Sequence, residues 1–372
     1  MALVKRVQQV QVTMTASNTT ATVALDTEFD TSNCIPVITR RVTTDATDPD
    51  ALEEYYVKPT FLTSPNRLQV ETQAANERVM VIEATIVEFE STEANVYHGE
   101  ATITDQSLAI DLSTDHSSVV VANTFAIASG YPTTTGSEES YASIQVELVD
   151  ADTLDLGRRS STGSHESSYW VVEAIGGTPA FTVQHVNATI STSTSSVTKT
   201  APTDFEAVLP ASTWAIGSHN TFGAGTKNEN NPYLALTDGS TLHAERVSTS
   251  SSNGSDITWM LVEFAGNETV QHGIFDTGAT GSGTELVTLN PEVSLNAMPY
   301  IAGMGMRHGK FPGSTAANVP DGMVAATITD TDELTLTRYN ANGLGNYEIA
   351  WQVVEWDDGS APAPARKVMV VS

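Results

Sequence analysis

Three histidines, His98, His185 and His272, stand 87 residues apart in similar settings: Val96-Tyr97-His98-Gly99, Val183-Gln184-His185-Val186 and Val270-Gln271-His272-Gly273. Imidazole is the commonest metal ligand, and three on one ion would make a zinc-type site. One histidine per repeat spreads them over separate modules, however, so strand-end histidines without a metal are expected. Gathering them would require the modules to pack around an axis. Four carboxylates, Glu88, Glu173, Glu263 and Glu355, and three guanidinium groups, Arg158, Arg246 and Arg338, recur in the same way. An acid beside a base can do proton chemistry, but a working site would not recur once per repeat. The expected role is a cross-strand ion pair facing over a hairpin, worth roughly 0.2–1 kcal/mol. Trp170, Trp259 and Trp351 precede the last three of these glutamates. Among valines they read as core fillers; a sugar-stacking platform, the rival reading, would need exposed rings.

Other candidate chemistry is sparse. Asp45, Asp48 and Asp50, with Glu53 and Glu54, offer oxygen ligands for Ca²⁺ without the spacing of an EF-hand, and a solvated acidic loop is the expectation. Gly303-Met304-Gly305-Met306-Arg307-His308-Gly309 misses the dinucleotide-binding spacing by one position, and Gly223-Ala224-Gly225-Thr226-Lys227 lacks that of a phosphate loop. No nucleophile elbow or H-E-x-x-H stretch occurs, and the single cysteine, Cys34, has no partner for an intramolecular disulfide. Sequons at Asn18, Asn187, Asn253 and Asn267 are what a Ser/Thr-rich chain produces. No catalytic residue and no cofactor are therefore predicted.

The elements that position these residues follow from the repeat itself. Val7-Gln8-Gln9-Val10-Gln11-Val12-Thr13 opens a first copy, with Gln9 in the histidine place. Later in each unit, Asp150…Leu154…Arg158 is matched by Asp238…Leu242…Arg246 and Asp330…Leu334…Arg338. An aromatic and glutamate strand closes each unit, and the first copy, Ile86-Val87-Glu88-Phe89, lacks the tryptophan. Three collinear series define four tandem modules of about ninety residues: 1–92, 93–178, 179–267 and 268–358, with an extended tail over 359–372.

Within a module, β-branched residues alternate with polar ones, and Gly, Asn, Asp, Pro and Ser clusters interrupt them at hairpin spacing. Asp238-Gly239 is a hairpin signal of the kind that suits a type I′ turn. The fold class is all-β: four antiparallel β-sandwich or barrel-like repeats. After the Ala-Pro stretch, Arg366-Lys367-Val368-Met369-Val370-Val371-Ser372 is strand-like and is expected to add to a neighbour's sheet edge and lock an oligomer.

Seventeen Lys and Arg against 45 Asp and Glu give a formal charge of −28, which repels phosphate backbones and anionic bilayers. Neither nucleic acid nor membrane is an expected partner. The acid excess suits a protein kept soluble in concentrated salt. Lys5-Arg6 is not followed by the apolar core of a Sec-type leader, so no signal peptide is predicted.

Lys5-Arg6-Val7-Gln8-Gln9-Val10-Gln11-Val12-Thr13-Met14-Thr15, followed by Ala21-Thr22-Val23-Ala24-Leu25, resembles the opening of small β-sandwich structural proteins of tailed viruses. Those often begin with a V-Q-x-G-x-x-T-I strand. The glycine stands at Gly99 and Gly273 in two copies and is Val10 and Val186 in the others. The resemblance implies a virion protein, assembled in a host cytoplasm and homo-oligomeric. It would be a tail fibre, spike or baseplate component, or alternatively a capsid turret or decoration protein. Its partners would be other virion proteins and a host-surface glycan or glycoprotein, and haloarchaea are the hosts that its acidity suggests. A carbohydrate-binding or adhesin module is the other reading.

Overall fold

In the computed structural model the chain is described over residues 2–15, 17–43, 56–63, 66–73, 79–133, 143–158, 163–222, 232–246, 254–276, 283–301, 323–338, 348–357 and 367–370. Its alternating β-branched and polar residues form 25 strands among the described residues. The first module holds β1 (Val4–Met14), β2 (Thr20–Ala24), β3 (Cys34–Val42), β4 (Lys58–Thr63), β5 (Asn66–Glu71) and β6 (Met80–Phe89). The second holds β7 (Ala94–Ile103), β8 (Ser107–Asp111), β9 (Thr124–Pro132), β10 (Gln145–Leu148), β11 (Thr153–Gly157) and β12 (His165–Ala174). The third holds β13 (Phe181–Ile190), β14 (Ser196–Thr200), β15 (Thr213–Phe222), β16 (Tyr233–Asp238), β17 (Thr241–Glu245) and β18 (Gly254–Phe264). The fourth holds β19 (Thr269–Asp276), β20 (Thr284–Thr288), β21 (Met298–Ile301), β22 (Val324–Asp330), β23 (Glu333–Arg338) and β24 (Glu348–Glu355), and β25 (Lys367–Val370) follows.

Each module is a pair of three-stranded antiparallel sheets facing one another. In the first module the strand orders are β1-β6-β3 and β2-β5-β4, and the other three repeat them. Val186, Ile190, Ala215, Leu236, Leu242, Ile257, Trp259 and Leu261 fill the sandwich of the third module. The alternate residues of the same sheet, Trp214, Ile216, Met260, Val262 and Phe264, are equally buried but join a different cluster shared by all four modules. The larger sheet is therefore apolar on both faces, which is why β6 is buried at every position.

What covers the outer face is the next module. The edge formed by the third and fourth strands lies on the larger sheet of its successor: β4 on β9 and β12, β10 on β15 and β18, β16 on β19 and β24. The fourth module completes the series, because β22 lies on β3 and β6 of the first. A similar contact relates every consecutive pair, with β16 reaching the first rather than the third strand of its successor, and the series returns to its start, so the chain is a closed four-module ring. Equivalent positions converge near its axis: Ile35, Phe125, Trp214 and Met298 are all fully buried, as are Val87, Val172, Val262 and Val354. Trp214 meets Phe125, Tyr300 and Trp356 edge-on at centroid separations of 5.4, 5.3 and 6.2 Å, and Trp356 meets Phe89 at 6.1 Å.

Two local expectations are corrected. β25 does add a strand, but to this chain's own first module, pairing parallel with Val10–Thr13 of β1. That pairing covers a sheet edge within the ring rather than in a neighbour. The hairpin between β16 and β17 forms, but its loop is Gly239-Ser240, since Asp238 pairs with Thr241. Gly239 does not take positive φ. Instead the Asp238 carboxylate accepts from the Ser240 amide at 2.7 Å and from its hydroxyl at 2.8 Å, the local bonding that makes Asp a turn residue.

Candidate functional site

The recurring polar residues occupy the joints and the ends of the modules. His185 Nε2 donates to Val121 O at 3.2 Å and His272 Nε2 to Pro210 O at 2.9 Å, in each case the short turn before the third strand of the preceding module. Gln9, in the histidine place of the first module, donates to Leu295 O and Ala297 O, both at 3.0 Å, across the joint that closes the ring. The modules do pack around an axis, yet the histidines lie one to a joint. Among the described residues no group of three His, Cys, Asp or Glu is placed to hold a metal ion. Asp45, Asp48 and Asp50, the calcium candidates, lie outside the described residues.

Burial is the first cause holding His98, His185 and His272 below the usual imidazole value; for His98 the neighbouring His116 adds to it. The unfolded chain takes up these protons near pH 6.5, whereas the folded chain does so only lower. Their contribution is thus complete above about pH 6.5 and is lost as pH falls below it. Replacing all three by Gln, the residue that already serves at Gln9, is expected to flatten the decline in urea midpoint between pH 7.5 and 5.5. Parallel curves for variant and parent would contradict this.

The Glu and Arg series do not pair with one another. Phe181 sits opposite Phe264 and Ile190 opposite Ser255, so the glutamate end of the closing strand is remote from the first hairpin turn, where the arginines lie. There Arg158 Nε donates to Asp105 O at 2.8 Å and its Nη2 to Thr104 O at 3.1 Å and to Gly163 O. Arg246 binds Ser191 O and Thr194 O in the same fashion, both at 2.9 Å. Arg338 is 4% exposed, and its amide donates to Gly283 O at the matching turn. At the other end, Glu173, Glu263 and Glu355 accept from the amides of Val120, Leu209 and Ser294 at 2.8, 3.1 and 2.8 Å, holding the loop before the third strand. In the first module Asp30 caps that turn itself, and Glu88 pairs instead with Lys5 at 2.7 Å and Arg6 at 2.9 Å.

The tryptophans divide. Trp259 and Trp351 fill the cores of their own modules. Their counterpart in the second module, counted by register, is Tyr169, opposite Gly99, as Trp351 is opposite Gly273. Those glycines are required, because a Cβ at Gly99 would strike the Tyr169 hydroxyl and one at Gly273 the Trp351 ring. Trp170 comes one residue later, and a one-residue offset turns a strand side chain to the opposite face. It therefore does not fill its own sandwich; it packs at the first joint, edge-on to Phe61 at 6.3 Å.

The joints also satisfy the open edge of each third strand. The Ala215 amide donates to Gln352 Oε1 at 2.8 Å and its carbonyl accepts from Gln352 Nε2 at 2.7 Å; the Ala126 amide donates to Met260 Sδ at 3.2 Å. At the matching positions Pro36 and Pro299 have no amide to satisfy.

One position distinguishes the four joints. Between the second and third modules, Thr258 Oγ1 accepts from Gln145 Nε2 at 2.8 Å and donates to Asn187 Oδ1 at 3.0 Å, and Asn187 Nδ2 donates to Glu147 Oε1 at 2.6 Å. Between the third and fourth, the Thr258 place is Ala350, packed with Tyr233 and Ala235. Between the fourth and first it is Glu83, which accepts from Gln11 of its own module at 2.6 Å. Between the first and second it is Ser168, and there the joint carries a cleft. Pro59, Thr60, Phe61, His98, Gly99, Glu100, Ser168 and Trp170 line a half-open cleft of about 340 Å³. Thr60 Oγ1, Ser168 Oγ and Trp170 Nε1 are buried there without a hydrogen-bond partner. Lys58, at the place of Gln145, is drawn away to Glu100 at 2.8 Å and Glu71 at 3.3 Å. Two recurring residues, His98 and Trp170, lie in its wall, but recurrence alone does not mark the site, because it arises where a repeat position departs from its copies.

No protein-family model matches the chain, and no curated protein matches it either.

Proposed function

We propose that the protein is a non-enzymatic structural component exposed on the outside of a tailed-virus particle, where it contacts the host surface. The observation that supports this most is the ring. A closing rotation puts equivalent ends of all four modules on one side. The ends of the third strands, at Val42, Pro132, Phe222 and Ile301, are equivalent positions and therefore lie on one side. A rigid base presenting four equivalent sets of strand ends on one side offers a multivalent contact surface. Closure also favours a knob, as in a spike tip, baseplate piece, turret or decoration, over a fibre shaft. Arg158, Arg246, Glu173, Glu263, Glu355, His185 and His272 bind backbone partners, which fits a scaffold. Its partners in this reading are further copies, other particle proteins and a host glycan or glycoprotein, and the acid excess fits assembly in concentrated salt.

The test is quantitative mass spectrometry of particles banded on a density gradient from lysed producing cells. The chain at a fixed ratio to the major capsid protein supports the reading. Its confinement to the soluble lysate, with none in the particle band, overturns it.

A further inference from the structure

We propose that the edges of β7, β13 and β19 are docking slots for an extended strand supplied by a different polypeptide and running parallel to the edge. The first strand of every module borders its larger sheet, and among the described residues only one of the four carries a further strand: β25, on Val10–Thr13 of β1. Counted from Gln9, His98, His185 and His272, the equivalent stretches are 99–102, 186–189 and 273–276. Gln9, His185 and His272 bond to the preceding module, so each slot begins one residue past that contact. A sheet edge offers a row of backbone donors and acceptors to a passing strand, and β25 shows that this edge, in this fold, takes a parallel one. The cover is visible in the side chains. Gln11 is half-buried and Thr13 buried, whereas at the same two places Glu100 and Thr102, Asn187 and Thr189, and Ile274 and Asp276 are all exposed.

Charge and side-chain type select the occupant. The three stretches and the residues bonded to or paired with them bring Glu100 and Glu166, Glu147 and Asp256, and Asp276 and Glu348 to the slots. The cation Lys58 is already held by Glu100 and Glu71. A strand led by basic residues is therefore favoured over an acidic one. Ile274, 44% exposed, adds apolar surface for it to cover. The segment that fits the first slot has this chemistry, since Arg366-Lys367 leads into Val368-Met369-Val370. In a second copy that segment is engaged on its own β1, so the partner is another protein with an extended basic-then-aliphatic segment. Strand pairing and particle association are measured separately, so either can fail alone.

The probe is a synthetic peptide of residues 365–372, titrated into the full chain while amide exchange is followed by mass spectrometry. A bound strand slows exchange beneath it by the ratio of total to free sites, about twofold at half-saturation. That slowing is expected at 99–102, 186–189 and 273–276, and not at 10–13, which β25 already covers. The same peptide carrying Val368→Pro and Met369→Pro is expected to slow none of them, because proline has no amide to donate. No slowing at the three slots with millimolar peptide overturns the proposal. Equal slowing by the proline peptide also overturns it, by showing charge attraction without strand pairing. Slots as protected as 10–13 before any peptide is added, in a chain whose scattering mass is that of several copies, overturn it too, by making a second copy the occupant.

Discussion

Replacing Trp214 by Ala is expected to lower the unfolding free energy by about 3–5 kcal/mol, the usual cost of emptying the space of a buried large aromatic ring. Trp214 is fully buried, and its ring contacts, Phe125, Tyr300 and Trp356, belong to the second and fourth modules. The void would open where modules meet rather than inside one sandwich. Amide exchange should accordingly quicken in β9 and β21 as well as in β15. Trp259→Ala removes an equally buried ring from the third module's own core, so its effect on exchange should centre on β13, β15 and β18. Leu286→Ser, at a position 58% exposed, should change stability by less than about 0.5 kcal/mol. Denaturant titration with hydrogen exchange reads all three. Independent melting of the modules in the parent protein would sink the expectation.

Arg158→Met should cost about 2–3 kcal/mol although it keeps most of the apolar stem. The guanidinium is fully buried and spans carbonyls on two segments, Thr104 and Asp105 in the first turn of the second module and Gly163 before its closing strand. Arg158→Lys should not rescue it. One ammonium cannot reproduce a planar fork, and it would leave a buried charge with fewer acceptors. Loss of amide protection should concentrate at residues 104–107, where Arg158 N also donates to Gln106 O at 2.7 Å. A lysine variant as stable as the parent would show that charge, rather than the fork, is what the turn requires.

The all-β character and the four copies were legible because a sandwich repeats its inward residues, and Leu154, Leu242 and Leu334 are all fully buried. The ring was not. Residues that meet around an axis must complement one another rather than match, so the equivalent positions read Ile35, Phe125, Trp214 and Met298, alike only in being apolar. Trp214 and Trp356 went unmarked for that reason. Trp170 was marked in the wrong place because spacing from Glu173 is three residues where Trp259 and Trp351 stand four from theirs, and in a strand one residue is a change of face. The Glu and Arg series recur together, but recurrence says nothing about which end of an antiparallel strand each occupies. Gln9 in the histidine place was the one visible trace of closure; what it binds lies nearly the whole chain away, at Leu295 and Ala297. The cleft at the first joint was illegible for the same reason as the ring, since its walls come from two modules.

The most direct test of the closed ring is small-angle X-ray scattering on the fraction whose scattering mass is that of one chain. A compact body of 372 residues should have a radius of gyration of about 21 Å. Four sandwiches strung end to end, each about 33 Å long from ten-residue strands, would give roughly 40 Å. A value near the first, with a single-peaked distance distribution, is the predicted result. A value near the second would mean that β22 does not return to β3 and β6, and would contradict the ring on which the shared core depends.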